Sequence, residues 1–242
     1  MFQNACQTVR QSTYGLVART RTKKGEGTRT QYTNGSAFMI SPRILVTSAH
    51  LTHPRGKSDE PYQEFLLIRA PEVGSPAPFE NARLIAKDYV KDIALLEIDN
   101  PRSSLSVSLE ENIIHRGTNC GSLGFPLAQV RFKGKKMSYI ARERFLGGYV
   151  SNYTRITSPP AQAAFRYETD YVMYGGSSGC PAFLKNSNIF GLQAGTVSLP
   201  KKQTRTTESG RIAISRLVSS LDIIEYANSN GINISHLTER SG

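Results

Sequence analysis

The sequence predicts an all-β fold closed by one C-terminal helix, and three observations carry that prediction. Apolar runs are short and stand between polar turns, as in FLLIR (65–69) and IALLEI (93–98). No helical pattern alternates with them, so the runs read as strands of a sandwich or barrel. Helical spacing of apolar residues occurs in one place, near residues 216–229.

In chain order, SAFMISPRILVTSA (36–49) carries two apolar runs on either side of a Ser-Pro turn, which is a hairpin signal. FLLIR, ARLIAK (82–87) and IALLEI follow as strands. After a polar break at 100–112 come NCGSLGF (119–125), FLGGYVS (145–151), FRYET (165–169), CPAFL (180–184), IFGLQAG (189–195) and RIAIS (211–215). In RLVSSLDIIEYANS (216–229), Leu217, Val218, Leu221, Ile224 and Tyr226 recur at helical spacing, with Ser215 as the candidate cap.

The 242 residues suffice for one large domain with a proper core, and 38% hydrophobic against 20% charged residues argues against wholesale disorder. Thirty Lys and Arg against 19 Asp and Glu give a net charge of +11, which favours acidic partners. The excess concentrates in residues 19–29, 131–144 and 200–211, each expected to be a surface loop. An acidic regulator could meet them, but no interleaved aromatic platform supports nucleic acid. Cys6, Cys120 and Cys180 cannot all pair within the chain, and no spacing suggests a metal site or a cofactor. No secretory leader and no membrane span is legible, so a cytoplasmic chain that does not enter a membrane is expected.

The chemistry-bearing stretch is YGGSSGCPAF (174–183), a Gly- and Ser-rich turn inside otherwise apolar sequence. Such a turn can take positive φ, and a serine on it becomes a nucleophile when a base is supplied. His50 follows the strand ILVTSA, and Asp92 opens the strand IALLEI. A carboxylate at that boundary needs a donor, and an imidazole N–H is a natural one. Asp59, Asp88 and Asp99 compete for the role, but none directly precedes so clean an apolar run. The expected catalytic set is therefore His50, Asp92 and Ser178, arranged for acyl transfer. Ser177 is the competing nucleophile, but Ser178 is the serine followed by Gly179. The N–H groups of Gly176 and Ser178 would form the oxyanion hole.

At these residues the chain resembles the trypsin-fold serine peptidases, and within them the HtrA/Deg branch. That branch carries T-(A/N)-x-H, D-I-A-L-L and T-D-x(6)-N-S-G-G-P, read here as TSAH (47–50), DIALL (92–96) and TDYVMYGGSSGCP (169–181). The likeness extends to GSAFMISPRILVTSAH (35–50), RGTNCGSLGFP (116–126), GGYVS (147–151) and GRIAISRLVSSL (210–221).

The resemblance implies two six-stranded β-barrels of the chymotrypsin type, about residues 12–103 and 116–215, with a helix at about 216–229. It further implies a serine endopeptidase of protein or peptide substrates, with its site between the barrels. Val172, six residues before Ser178, would lie at the base of the primary specificity pocket, so a small or medium apolar residue is expected before the cut. Gln193, Ala194, Gly195 and Thr196 would line the pocket wall and offer backbone to an extended peptide. Two departures stand beside the serine, where Ser177 and Cys180 replace the usual Asn (or Asp) and Gly. Cys180 reads as a small buried filler. A small-ester hydrolase and a non-catalytic module of the same fold are the competing readings.

Overall fold

A computed structural model describes residues 2–24, 27–54, 60–69, 79–101, 107–133, 136–156, 164–197 and 214–234. Two closed antiparallel barrels of six strands each dominate it. The first is built from β1 (Thr13–Lys24), β2 (Gly27–Met39), β3 (Ile44–Thr47), β4 (Glu64–Ile68), β5 (Phe79–Asp88) and β6 (Ile93–Ile98). Beyond it come β7 (Asn119–Gly124), a hairpin of β8 (Gln129–Lys133) with β9 (Lys136–Ile140), and then β10 (Arg144–Ile156). The second barrel is completed by β11 (Ala164–Val172), β12 (Pro181–Phe183), β13 (Ile189–Val197) and β14 (Ile214–Ser219), with β7 and β10 as its first two strands. Around the two barrels the strands run β1-β2-β3-β6-β5-β4 and β10-β11-β14-β13-β12-β7, which is one cyclic order used twice.

The apolar runs are continuous because their strands are covered on both faces. In β6, Leu96 and Ile98 point into the first barrel, while Ile93 and Leu95 point outward into the layer between the barrels. Side chains alternate across a strand, so a strand covered on both sides loses its polar face. The same split places Ala37 and Met39 inside and Phe38 and Ile40 outside. The second barrel supplies Leu123, Phe183, Ile189, Leu192 and Val218 to the shared layer. Two helices close that layer, α1 (Gln3–Ser12) with Ala5 and Val9, and α2 (Ser220–Ser229) with Ile223 and Ala227.

Three expectations need correction. The C-terminal helix starts at Ser220 rather than 216, because residues 214–219 form β14, paired to β11 on one side and β13 on the other. Leu217 belongs to the second barrel's core and Val218 to the shared layer, so both faces are apolar and the run mimics helical spacing. The cap is accordingly Ser219, whose hydroxyl accepts the Asp222 N–H at 3.2 Å, and not Ser215. Residues 19–24 and 27–29 are not a loop but belong to β1 and β2, which pair as far as Lys24 and Gly27. Nor are residues 131–133 and 136–140 a loop. Val130, Phe132, Met137 and Tyr139 share one face of the β8–β9 hairpin, which packs on Val17, Leu66 and Ile68 of the first barrel. The basic stretch 200–211 lies outside the described residues. No helix among those described is long and apolar enough to cross a membrane.

Candidate active site

Each of the three expected residues stands where a strand stops. His50 sits in a single 3-10 turn (Ala49–Leu51) directly after β3. Thr52 braces that turn through its hydroxyl, which donates to Ala49 O at 2.7 Å, and Ser48 ties it to the second barrel by donating to Gln193 O at 2.9 Å. Asp92 ends the turn between β5 and β6 with φ at +58°. This is the left-handed region, which an aspartate tolerates better than most side chains.

Ser178 lies on the turn before β12. Gly176 and Gly179 take φ of +90° and +86° there, which is the conformation glycine supplies. At Gly179 space is decisive as well, since a Cβ would stand 1.7 Å from Ser36 O. The turn is held by Ser36 N–H donating to Ser178 O at 2.8 Å, Gly179 N–H to Gln193 O at 2.8 Å and Leu127 N–H to Gly175 O at 2.7 Å.

The structure brings the three together across the barrel interface. Asp92 Oδ1 accepts the backbone N–H of His50 at 2.9 Å, and Asp92 Oδ2 lies 2.9 Å from His50 Nδ1. The other ring nitrogen, Nε2, is 2.9 Å from Ser178 Oγ. A carboxylate only accepts, so the ring proton is assigned to Nδ1 and Nε2 is left as acceptor for the serine hydroxyl. The backbone bond fixes the carboxylate plane and the ring follows it. The N–H groups of Gly176 and Ser178 donate to no other described residue.

The competitors are placed elsewhere. Ser177 is buried, and its hydroxyl accepts the Tyr174 N–H at 3.2 Å. Asp88 Oδ1 accepts from Val90 N–H and Lys91 N–H at 2.8 and 2.9 Å, while Asp99 lies at the opposite end of β6. Asp59 is outside the described residues. Cys180 is buried with its thiol donating to Ser36 Oγ at 3.2 Å, and burial pushes that thiol up to about 11.

Of the expected pocket residues, Val172 is 50% exposed at the end of β11 and pairs in register with Ile214. Ala194 and Gly195 are half-buried and Thr196 is exposed, along β13 where the register slips between Gln193 and Gly195. A Cβ on Gly195 would meet nothing within 4 Å, so open space adjoins this stretch. Gln193 is a correction. It is fully buried, its amide donates to Tyr171 Oη at 2.7 Å, its N–H donates to Cys180 O, and its carbonyl accepts from Gly179 N–H and Ser48 Oγ. With its groups engaged it forms the floor under the serine turn rather than a wall open to a peptide.

Residues 35–192 match the family model of the trypsin-like peptidase domain, a stretch that holds all three site residues. The chain belongs to the trypsin-like peptidase family. Among solved structures the trypsin-like fold seen here is similar to that of the HtrA-type protease AlgW. One form with tripeptide gives a TM-score of 0.66 at 17% identity over 95% of this chain. Two forms with decapeptide give 0.65 at 15% and 16% identity over 96% and 97% of this chain. The chain spans 63% of the length of the first of these and 68% and 69% of the others. No curated protein matches the sequence.

Proposed function

We propose that this trypsin-like peptidase domain is an active serine endopeptidase with His50 as base, Asp92 as its orienting group and Ser178 as nucleophile. The observation that carries the proposal is the unbroken line Asp92 carboxylate, His50 imidazole, Ser178 hydroxyl at 2.9 Å and 2.9 Å. In this mechanism Ser178 Oγ attacks the scissile carbonyl while its proton moves to His50 Nε2. Asp92 stabilises the imidazolium so formed, and the N–H groups of Gly176 and Ser178, which donate to no other described residue, receive the developing oxyanion. Collapse breaks the C–N bond, His50 protonates the departing amine, and the acyl group rests on Ser178 until water, deprotonated by His50, releases it.

Val172 carries no charge to the pocket base, so a lysine or arginine there would stay unpaired after desolvation. The proposed preference is a small or medium apolar residue before the cut. Ala194, Gly195 and Thr196 would meet the substrate as an added strand. The AlgW forms with tripeptide and decapeptide support a peptide ligand for this fold.

Digestion of a peptide library tests the reading. Wild type and Ser177→Ala should cut with rates within tenfold of each other, whereas Ser178→Ala should lose about 10⁶ in turnover. Digestion unchanged in Ser178→Ala would overturn the proposal.

A further inference from the structure

Asp92 owes its position to a turn whose own supports come from the other barrel. Residues 88–92 leave β5 and enter β6, and Asp88 takes the N–H groups of Val90 and Lys91. The carbonyls of the same two residues are taken by Arg166 of β11, whose Nη2 donates to Lys91 O at 2.9 Å and to Val90 O at 3.3 Å. Arg166 is nearly buried, and its Nη1 lies 3.3 Å from Asp222 Oδ2 in the first turn of α2. Asp222 Oδ2 also accepts the Phe165 N–H at 2.7 Å. A further tie runs beside it, from Lys91 Nζ to Glu225 Oε2 of α2 at 2.6 Å.

We propose that Arg166 is a positioning residue for the reaction, holding Asp92 in its left-handed conformation through the carbonyl of Lys91. This rests on the peptidase reading above. The peptide between Lys91 and Asp92 is planar, so fixing Lys91 O sets the plane that contains Asp92 N and Cα, and with the far side of that Cα held by the entry into β6 the rotation between them, the φ of Asp92, is set. A side chain at φ +58° is costly and persists only where its surroundings hold it. The clamp supplies that hold: Asp88 on the N–H side of the turn, Arg166 on the carbonyl side.

Stability alone does not account for the pair. Burial pushes the guanidinium of Arg166 below its ordinary value and the carboxyl of Asp222 above its own, each opposed by the partner's charge or hydrogen bonds. A buried ion pair of this kind is often matched by apolar residues of the same volume. Apolar replacements at 166 would have no donor for Val90 O and Lys91 O. A guanidinium has enough donors, in a fixed fork, to reach Asp222 and both carbonyls at once.

Arg166→Lys is the informative variant because it keeps a cation beside Asp222 but cannot span both carbonyls. The expected result on a cleaved peptide is a fall in kcat of about tenfold with KM within about twofold, the pattern of a lost transition-state interaction. In an Asp92→Asn background the same exchange should cost less than about twofold, since the carboxylate through which Arg166 acts is already gone. An equal fall in both backgrounds, or an unchanged kcat, overturns the proposal. A readout free of turnover runs beside it: the low-field proton resonance of His50 Nδ1–H, assigned by its loss in His50→Gln. It should weaken or move upfield in Arg166→Lys, and an unchanged resonance overturns the clamp. If the wild-type chain proves inactive, the peptidase reading fails by itself and the resonance alone decides the role of Arg166. Should Arg166→Lys not fold, Asp222→Asn, which spares both carbonyl bonds, is expected to leave the resonance in place; its loss there counts against the clamp.

Discussion

Replacing Asp92 by Asn probes the site at the cost of a single atom. The left-handed φ of +58° accepts asparagine as readily as aspartate, so the turn survives. The amide has one acceptor, and the His50 backbone N–H, 2.9 Å from Oδ1, claims it. The NH₂ group is thereby placed where Oδ2 stands, 2.9 Å from His50 Nδ1. Two donors cannot face each other, so Nδ1 must become the acceptor and the ring proton moves to Nε2. That nitrogen, 2.9 Å from Ser178 Oγ, then donates and can no longer take the serine proton. The expected loss is about 10⁴-fold in kcat, the scale seen when this exchange is made in such triads. That factor corresponds to about 5.5 kcal/mol of activation free energy. Stability should change by no more than about 1 kcal/mol, because the hydrogen-bond count is unchanged. The assay is initial-rate hydrolysis of a cleaved peptide beside a denaturation curve for the same preparation. A variant within tenfold of wild type, folded and titrated, would show that Asp92 does not set the tautomer of His50.

Two further outcomes follow from the packing. Gly179→Ala combines φ of +86° with a Cβ 1.7 Å from Ser36 O, so it should lose at least about 2 kcal/mol of stability in urea denaturation. Gly195→Ala, with nothing within 4 Å, should stay within about 0.5 kcal/mol, and equal losses in the two variants would contradict the described turn. The buried thiols give a pH dependence: burial pushes Cys180 up to about 11 and, with the Asp170 carboxylate nearby, Cys120 up to about 12. Both values are raised from an ordinary thiol value of 9.0, so their contribution is complete below about pH 9 and falls away as pH rises toward 11–12. Unfolding at pH 8 and pH 10 should differ by about 2–3 kcal/mol from these two groups, with the native state weaker at pH 10. A Cys120→Ser/Cys180→Ser chain that keeps the full difference would refute the assignment.

How much of this was legible depends on what surrounds each residue. Strands β3 and β6 announce themselves because they are covered on both faces, and a run such as IALLEI has no other use in a chain of short segments. The candidate site was legible as a proposal because each of its three residues stands at the end of such a strand or in the glycine turn. Helix α1 was not, since QNACQTVRQS buries little beyond Ala5 and Val9 and its polar composition reads as a tail. The β8–β9 hairpin hid for a related reason: its apolar residues are interleaved with basic ones, and its covered face is apparent only once the first barrel is there to cover it. Nothing within FRYET marks Arg166 as a buried residue. Its burial depends on carbonyls 75 and 76 positions away and on a carboxylate 56 positions away, and no local pattern records partners at that distance. Gln193 misled in the opposite sense, because the resemblance put it on the pocket wall with its neighbours, and only its occupied hydrogen bonds set it apart from them.

The claim on which the account turns is that His50 and Asp92 make Ser178, and no other serine, nucleophilic. Reaction with a fluorophosphonate followed by peptide mass spectrometry measures this directly, since covalent capture requires the activated hydroxyl but no knowledge of the substrate. The account predicts one adduct, on Ser178, formed rapidly in the wild-type chain, slowed strongly in Asp92→Asn and absent in His50→Ala and Ser178→Ala. An adduct on Ser177, or labelling of Ser178 at the same rate without His50, would contradict it.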